Sequence, residues 1–277
     1  MTGVVLPTFV IIGAMRSGST SLFKHLQAHP QVFMPRKEIH FFDDRWERGL
    51  AWYRTRFDGY AGQPAVGEAT PTYMADTVAL DRLAEVIPHA RLIAVLRDPV
   101  ERAYSHYWME HARARDPRTF EEAIADELGG SPSRSDYLAR GRYAAQLDEV
   151  EARFPRSQLH VLLLDDLRDR PAEAYAGVCR FLDIDDTFVP GRLDARVNHF
   201  VAFRSMRVRG MRRSLPRMLR IRRIVGRLNA RTDHYEPMAA ATRERLRRHF
   251  AADNAALARW LGRDLSAWGV GALGEPG

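Results

Sequence analysis

The chain has 277 residues, 45% of them hydrophobic, which is enough to bury a substantial core, and we expect a single domain over residues 1–277. No stretch reaches the roughly 18 consecutive apolar residues of a membrane span, and the first residues lack the basic leader of a signal peptide. The single cysteine, Cys179, excludes an internal disulfide. We therefore expect a cytoplasmic protein. The net charge is +7, and only two of the 42 basic residues are lysines; arginine favours bidentate contacts to phosphate or sulfate, although a codon bias of the genome explains the same composition.

Three buried strands alternate with helices along the chain. Residues 8–13, 91–96 and 158–164 are predicted strands, because each is an apolar run without alternation, as in strands covered on both faces. The first strand is followed by a predicted helix from about Thr20 to Ala28, and the second by a turn that places Pro99 at the start of a helix. The pattern predicts an α/β fold, a P-loop-type parallel β-sheet flanked by helices on both faces.

The second half of the chain contains a basic segment and a long helix. Eleven arginines and no acidic residue lie between Arg204 and Arg231, and we predict an Arg-rich flap at about residues 200–232. Residues 129–135 are predicted to form a mobile loop, and residues 237–268 a long helix with a short tail.

A glycine-rich turn joins the first strand to the first helix. Residues 13–20 have the spacing of the nucleotide-binding P-loop, G-x-x-x-x-G-K-[ST], except that Ser19 stands where the lysine is expected. A kinase or ATPase needs that lysine on the β- and γ-phosphates. The exchange argues against ATP hydrolysis, whereas backbone N–H groups at the helix start are still able to bind a phosphate.

Four hydroxyls occupy the same helix start, although ordinary capping needs only one. They belong to Ser17, Ser19, Thr20 and Ser21. We therefore predict a phosphate-binding loop rather than a simple tight turn, with Arg16 as its cation.

Residues 15–22, Met-Arg-Ser-Gly-Ser-Thr-Ser-Leu, resemble the 5′-phosphosulfate loop of sulfotransferases that use 3′-phosphoadenosine-5′-phosphosulfate (PAPS). The resemblance implies PAPS as the cofactor. The family lysine that contacts the leaving phosphate matches Arg16, which is a departure, because arginine holds charge but does not act as a proton donor. The residues implied to bind the 5′ side of the cofactor are Arg16, Ser17, Gly18, Ser19, Thr20 and Ser21.

The segment after the second strand, residues 97–107, is similar to the family's 3′-phosphate motif. In that motif an arginine at the strand end and a serine eight residues later bind the 3′-phosphate, and these match Arg97 and Ser105. The carboxyl ends of parallel strands are where such sheets bind ligands, which agrees with the position of Arg97.

Residues 37–43, Lys-Glu-Ile-His-Phe-Phe-Asp, are similar to the catalytic segment of the heparan-sulfate branch of the family. The resemblance implies that Glu38 is the catalytic base, with His40 and Asp43 in support. An acceptor hydroxyl needs such a base to remove its proton during attack. Phe41 and Phe42 are expected to form an apolar wall that raises the pKa of the neighbouring carboxylate.

Residues 66–73, with Glu68 in the third position, resemble a further family segment. Some members carry a second catalytic lysine where this chain has Ala69, so a mechanism with two lysines is in doubt. Glu68 is either a structural residue that bonds the loop backbone, which we favour, or an alternative base. Residues 141–147 and 164–167 also fit bacterial members, and the resemblance extends from residue 9 to about 268.

The function predicted from these motifs is sulfuryl transfer from PAPS to a hydroxyl or amine of a carbohydrate or small natural-product acceptor, with Glu38, Arg16 and His40 as catalytic residues. We predict no metal site, because His25 and His29 share a helix face without a third ligand nearby. Two alternatives remain, a P-loop nucleotide kinase and a basic protein that binds nucleic acid or other anions. The missing lysine opposes the first, and the lack of aromatic residues among the arginines of residues 204–231 opposes the second.

Overall fold

The computed structural model describes residues 5–131, 135–191 and 236–269, together with the backbone of residues 202–203 and 230–231. The chain divides into two compact units, the first formed by residues 1–98, 142–197 and 251–277, the second by residues 99–141 and 198–250. The expectation of a single domain stays a prediction. Within the described residues, no helix is both long and apolar enough to cross a membrane.

The first unit contains a parallel sheet of five strands in the order β2-β3-β1-β4-β5. The strands are β1 (Phe9–Gly13), β2 (Val32–Phe33), β3 (Ala65–Ala69), β4 (Arg91–Leu96) and β5 (Leu159–Leu163). The predicted α/β fold is confirmed, and the three predicted strands occur within one residue of their expected ends. The sequence pattern did not predict β2, which has only two residues, or β3. All residues of β3 are buried, but its glycine and glutamate interrupt the apolar run that would indicate a buried strand.

Nine helices occur among the described residues: α1 (Ser19–Gln27), α2 (Gly49–Arg54), α3 (Thr77–Val86), α4 (Pro99–Ala112), α5 (Phe120–Leu128), α6 (Tyr143–Glu151), α7 (Leu164–Asp169), α8 (Pro171–Phe181) and α9 (Ala240–Leu261). Short 3₁₀ turns lie at Trp46–Arg48, Thr55–Phe57, Tyr73–Ala75, Ala139–Gly141, Arg156–Gln158 and Ser266–Trp268. Helix α1 matches the predicted helix to within one residue. Helix α9 begins at Ala240, three residues later than the start predicted for the C-terminal helix.

Both faces of the sheet are covered by helices within the first unit. On one face Val10 and Leu92 pack with Leu83 of α3 and Leu147 of α6. On the other face the alternate residues, such as Ile11 and Ile93, pack with α1 and α8. Every strand residue of β1 is therefore buried, which explains its continuous apolar sequence.

The second unit has its own core, formed by α4, α5 and the first part of α9. Val100, Phe120, Ile124 and Phe250 are almost fully buried there. Helix α5 begins at a capping box, in which Thr119 and Glu122 exchange hydrogen bonds with each other's backbone N–H groups.

Two predicted segments lie partly outside the described residues. Of the predicted flap at residues 200–232, only two short antiparallel strands are described, β6 (Ala202–Phe203) and β7 (Ala230–Arg231). Of the loop predicted at residues 129–135, residues 132–134 lie outside the described part.

Candidate active site

The three loops that carry the predicted motifs of the first unit follow neighbouring strands. Strands β3, β1 and β4 are adjacent and parallel, so their carboxyl ends meet at one edge of the sheet. Residues 14–18 follow β1, residues 70–73 follow β3, and Arg97 follows β4. The segment at residues 37–43 lies against the end of β3, because the Glu38 N–H donates to the Ala69 carbonyl at 2.8 Å.

The phosphate loop turns sharply into α1. Gly18 is the residue before the helix and has a φ of 102°, a left-handed conformation that favours glycine. A Cβ atom at Gly18 would lie 2.7 Å from Cδ1 of Leu164, so a side chain there would force Leu164 to shift. The loop is anchored to the sheet by the Ala14 N–H, which donates to the Val95 carbonyl at 2.8 Å.

The start of α1 has the properties of an anion site. No side chain caps it and no acidic residue lies in its first turn, so the positive end of the helix dipole is available to an anion, although the Ser21 N–H already donates to the Gly18 carbonyl at 2.9 Å. Ser17 is fully buried, and its hydroxyl has no hydrogen-bond partner among the described residues. Ser19 is also nearly buried, whereas Arg16, Thr20 and Ser21 are half-buried.

Arg97 lies within reach of this loop. Its Nη1 atom is 3.4 Å from the Arg16 carbonyl, to which it donates, and the Tyr143 hydroxyl donates to the Arg97 carbonyl at 2.8 Å. Ser105 is a nearly buried residue of α4 and belongs to the second unit. The pairing of Ser105 with Arg97 on one phosphate therefore stays a prediction.

Glu38 has a half-exposed carboxylate. Its side chain is 51% exposed and accepts a hydrogen bond from Nζ of Lys37 at 2.8 Å. The backbone has a φ of 62° at Glu38 and 57° at His40, both in the left-handed region that L side chains rarely adopt.

His40 and Asp43 form a hydrogen-bonded pair, with 2.9 Å between Nδ1 and Oδ2. This bond raises the pKa of His40, although partial burial opposes the shift. Burial pushes the pKa of Asp43 upwards, but hydrogen bonds from His40 and from the Thr72 hydroxyl outweigh it and hold that pKa below its usual value. The pair is thus charged over a wide pH range and holds the imidazole in one orientation.

The two phenylalanines of the expected apolar wall pack against other aromatic rings. Phe41 and Phe42 are buried in the core, where Phe41 stacks on Tyr53 with 4.3 Å between ring centroids. The half-exposed Glu38 is paired with Lys37, whereas burial raises the pKa of Glu68. The side chains of both rings are buried in the core, and the expectation that they raise the pKa of the base stays a prediction.

Glu68 is completely buried and accepts hydrogen bonds from three hydroxyls. Thr70 and Tyr73 donate at 2.8 Å each, and Tyr53 donates as well. This environment supports the structural interpretation of Glu68 over the alternative that it is the base. No sequence pattern indicates the role of Tyr53, which lies 15 residues away from Glu68 along the chain. Tyr73 lies in the segment at residues 66–73, but nothing in that motif indicates its role.

Among the described residues, one histidine and two aspartates come close enough to hold a metal ion. The ligand atoms of His40, Asp43 and Asp44 lie within 4.8 Å of one another. Hydrogen bonds account for this proximity, since both His40 and the Asp44 N–H bond the Asp43 carboxylate. The expectation that no metal takes part stays a prediction.

The chain was compared with known proteins. Residues 6–253 match the family model of the sulfotransferase domain. The chain is 28% identical over 274 residues to a bifunctional heparan sulfate N-deacetylase/N-sulfotransferase 1 of Caenorhabditis briggsae, with 92% of the chain and 30% of that protein covered. It is 32% identical over 181 residues to the human heparan sulfate glucosamine 3-O-sulfotransferase 3B1, with 65% of the chain and 46% of that protein covered. The chain thus spans less than half the length of these relatives.

A solved structure is similar over almost the whole chain. The sulfotransferase of Alicyclobacillus acidocaldarius superposes with a TM-score of 0.74 and 28% identity, and the match covers 96% of this chain and 99% of that one. These matches support the predicted sulfotransferase over the nucleotide kinase and over the anion-binding protein. The family match runs through both compact units, and the chain belongs to the sulfotransferase domain family.

Proposed function

We propose that this chain transfers a sulfuryl group from PAPS to a hydroxyl or amine of a carbohydrate or small natural-product acceptor. The observation that carries the proposal is the buried Ser17 hydroxyl, which lies directly before the uncapped start of α1 and has no partner in the described part of the chain. Buried polar groups are nearly always hydrogen-bonded, and a phosphate or sulfate oxygen is the partner that this position fits.

The residues of the loop are suited to hold the leaving group. Arg16, Ser19 and Thr20, together with the N–H groups of the helix start, stabilise the negative charge that develops on the departing phosphate. Arg97 and Ser105 bind the 3′-phosphate, which distinguishes PAPS from a simple adenosine 5′-phosphate derivative.

Glu38 acts on the acceptor side. The acceptor oxygen or nitrogen forms a bond to sulfur in line with the sulfur–oxygen bond that breaks, the electron pair of that bond leaves with the phosphate, and Glu38 takes the acceptor's proton. His40, held by Asp43, orients the base or the acceptor. The exposure of the Glu38 carboxylate supports this role, since an acceptor must be able to reach it.

The acceptor is proposed to be a sugar. The support is the likeness to proteins named for the sulfation of heparan sulfate glucosamine and the base segment at residues 37–43. A cytoplasmic location stays a prediction, supported by the single cysteine, which is buried and whose pKa burial raises to about 11.

Nucleotide-dependent thermal stability tests the proposal. Adenosine 3′,5′-bisphosphate at a hundred times its dissociation constant should raise the melting temperature by roughly 5–10 °C, whereas ATP with magnesium and a single-stranded oligonucleotide should raise it by less. A larger shift with ATP and magnesium would indicate a kinase, and a shift with the oligonucleotide alone a nucleic-acid-binding protein.

Turnover tests the transfer itself. Labelled PAPS is offered with a panel of glucosamine-containing oligosaccharides, simple glycosides and phenols, and the added sulfate is detected by mass. Transfer should persist in excess EDTA, because Arg16 and the loop N–H groups are proposed to stabilise the leaving phosphate as a metal ion would in a kinase. Complete loss on chelation, restored by magnesium, would contradict the proposed leaving-group site.

A further inference from the structure

Glu68 lies at the centre of a buried hydrogen-bond network. The residue has no exposed surface, and within the described part of the chain it makes no ion pair. The hydroxyls of Tyr53, Thr70 and Tyr73 all donate to its carboxyl oxygens. Their oxygen lone pairs are then free to accept.

Two of these hydroxyls accept from consecutive backbone amides of the segment at residues 37–43. The Tyr73 oxygen accepts from the N–H groups of Phe41 at 2.9 Å and of Phe42 at 3.3 Å. The Thr70 oxygen accepts from the N–H of His40 at 3.4 Å. Three neighbouring amides of one loop are therefore bonded, through two hydroxyls, to a single buried carboxylate.

The same two segments are joined at both ends of this contact. The Glu38 N–H donates to the Ala69 carbonyl at 2.8 Å, and the Thr72 hydroxyl donates to Asp43 at 2.6 Å. Between these contacts, Glu38 and His40 hold left-handed backbone conformations. Such conformations persist only where the surroundings determine them, and residues 68–73 supply most of the described hydrogen bonds that do so.

The end of β3 also connects this loop to the phosphate loop. The Thr70 N–H donates to the Ile11 carbonyl of β1 at 3.1 Å, and β1 leads directly into the phosphate loop. Glu68 itself is paired with Val10 in the register of β3 and β1. The carboxylate therefore sits on a rigid part of the sheet from which both loops extend.

We propose that Glu68 is a positioning residue, which fixes Glu38 and His40 through the hydroxyls of Thr70 and Tyr73 and does not touch the acceptor. The proposal rests on the proposed role of Glu38 as the base. A base transfers a proton only within hydrogen-bond reach of it, and a displacement of about 1 Å is able to lower the rate by about 10²-fold. A buried carboxyl that accepts from several hydroxyls suits this task because the network around it has few alternative arrangements.

Two tyrosines provide a matched pair of variants. Tyr73→Phe removes the hydroxyl that accepts from the loop, whereas Tyr53→Phe removes a hydroxyl from the same carboxylate that accepts from no loop amide in the described residues. Both rings are fully buried and stay in the core. If the hydroxyls acted only through general packing or by compensating the charge of Glu68, the two variants should therefore behave equally.

The expected result is a clear difference between them. In Tyr73→Phe the exchange of the Phe41 and Phe42 amide hydrogens should be at least about tenfold faster, and turnover with the best acceptor of the panel should fall by about 10- to 100-fold. The dissociation constant for adenosine 3′,5′-bisphosphate should stay within about twofold of the parent. Tyr53→Phe should change all three measurements clearly less than Tyr73→Phe does, and Thr70→Val should accelerate exchange of the His40 amide alone.

A double variant separates this inference from the proposed function. If Tyr73 acts by positioning the base, Tyr73→Phe should lower turnover no further in a Glu38→Gln background. Equal behaviour of the two tyrosine variants, or an undiminished effect of Tyr73→Phe in that background, would overturn the positioning role. Unchanged turnover of Glu38→Gln alone would instead overturn the base assignment and the inference with it, and amide exchange would then report only the packing of the loop.

Discussion

Replacing Ser17 with alanine should stabilise the free protein and weaken its binding of adenosine 3′,5′-bisphosphate. The two effects have opposite signs because the Ser17 hydroxyl is buried and has no partner within the residues that the structure describes, and because it is proposed to donate to a phosphate oxygen in the complex. If Ser17 served only to pack the turn, its truncation would destabilise the protein and leave the affinity for the bisphosphate unchanged.

The sizes of both effects follow from the environment of the hydroxyl. An unsatisfied buried hydroxyl costs about 1–3 kcal/mol, and part of that gain is offset by the small void that alanine leaves, so we expect about 1 kcal/mol of added stability. A hydrogen bond to a charged group contributes about 1.5–3 kcal/mol, so the dissociation constant should rise roughly 10- to 100-fold.

Urea denaturation of the free protein and calorimetric titration with the bisphosphate measure the two quantities. Ser157→Ala is the control, because Ser157 is an exposed serine of the 3₁₀ turn Arg156–Gln158 and should change neither. A Ser17→Ala protein that is less stable than the parent and binds the nucleotide equally well would refute the reasoning.

Three further predictions concern the other proposed site residues. Glu38→Gln should lower turnover about 10²–10⁴-fold and leave the nucleotide affinity unchanged. The stability should also stay the same, because the ion pair of Glu38 with Lys37 is half-exposed. A loss of turnover within about threefold would contradict the role of Glu38 as the base. Arg97→Ala and Ser105→Ala should each weaken binding of adenosine 3′,5′-bisphosphate far more than binding of adenosine 5′-phosphate, and equal weakening in calorimetry would show the assignment to be wrong. The pKa of His40 is raised above its ordinary value of 6.5, and the pKa of Asp43 is lowered below its ordinary value of 3.8. Their pair therefore stabilises the protein most between pH 3.8 and pH 6.5. This stabilisation is lost as the pH falls through the folded pKa of Asp43 or rises through the folded pKa of His40. Asp43→Asn should therefore destabilise the protein more at pH 6 than at pH 9 in urea denaturation, whereas an equal effect at both would contradict a charged pair.

Much of the candidate site was predictable because its residues are close together in the chain. The phosphate loop is defined by glycine and hydroxyl residues within eight positions, and the strand before it by its apolar run. The position of Arg97 follows equally from the end of β4. The side-chain environment of Glu38 did not follow, because the aromatic residues next to it in sequence point into the core.

The amino-acid sequence by itself determined the α/β pattern, the ends of β1, β4 and β5 and the location of the phosphate loop, since each depends on local composition and spacing. Only the tertiary structure decided what surrounds the buried carboxyl at residue 68. Tyr53 reaches Glu68 from α2, and the amides of residues 40–42 reach Thr70 and Tyr73 from some thirty positions away. These partners meet because β3 pairs with β1 and its even-numbered residues face the core that also contains Tyr53 and Phe41. Local sequence patterns specify backbone conformation, but the hydrogen-bond partners of a buried group are set by the packing of distant segments around it.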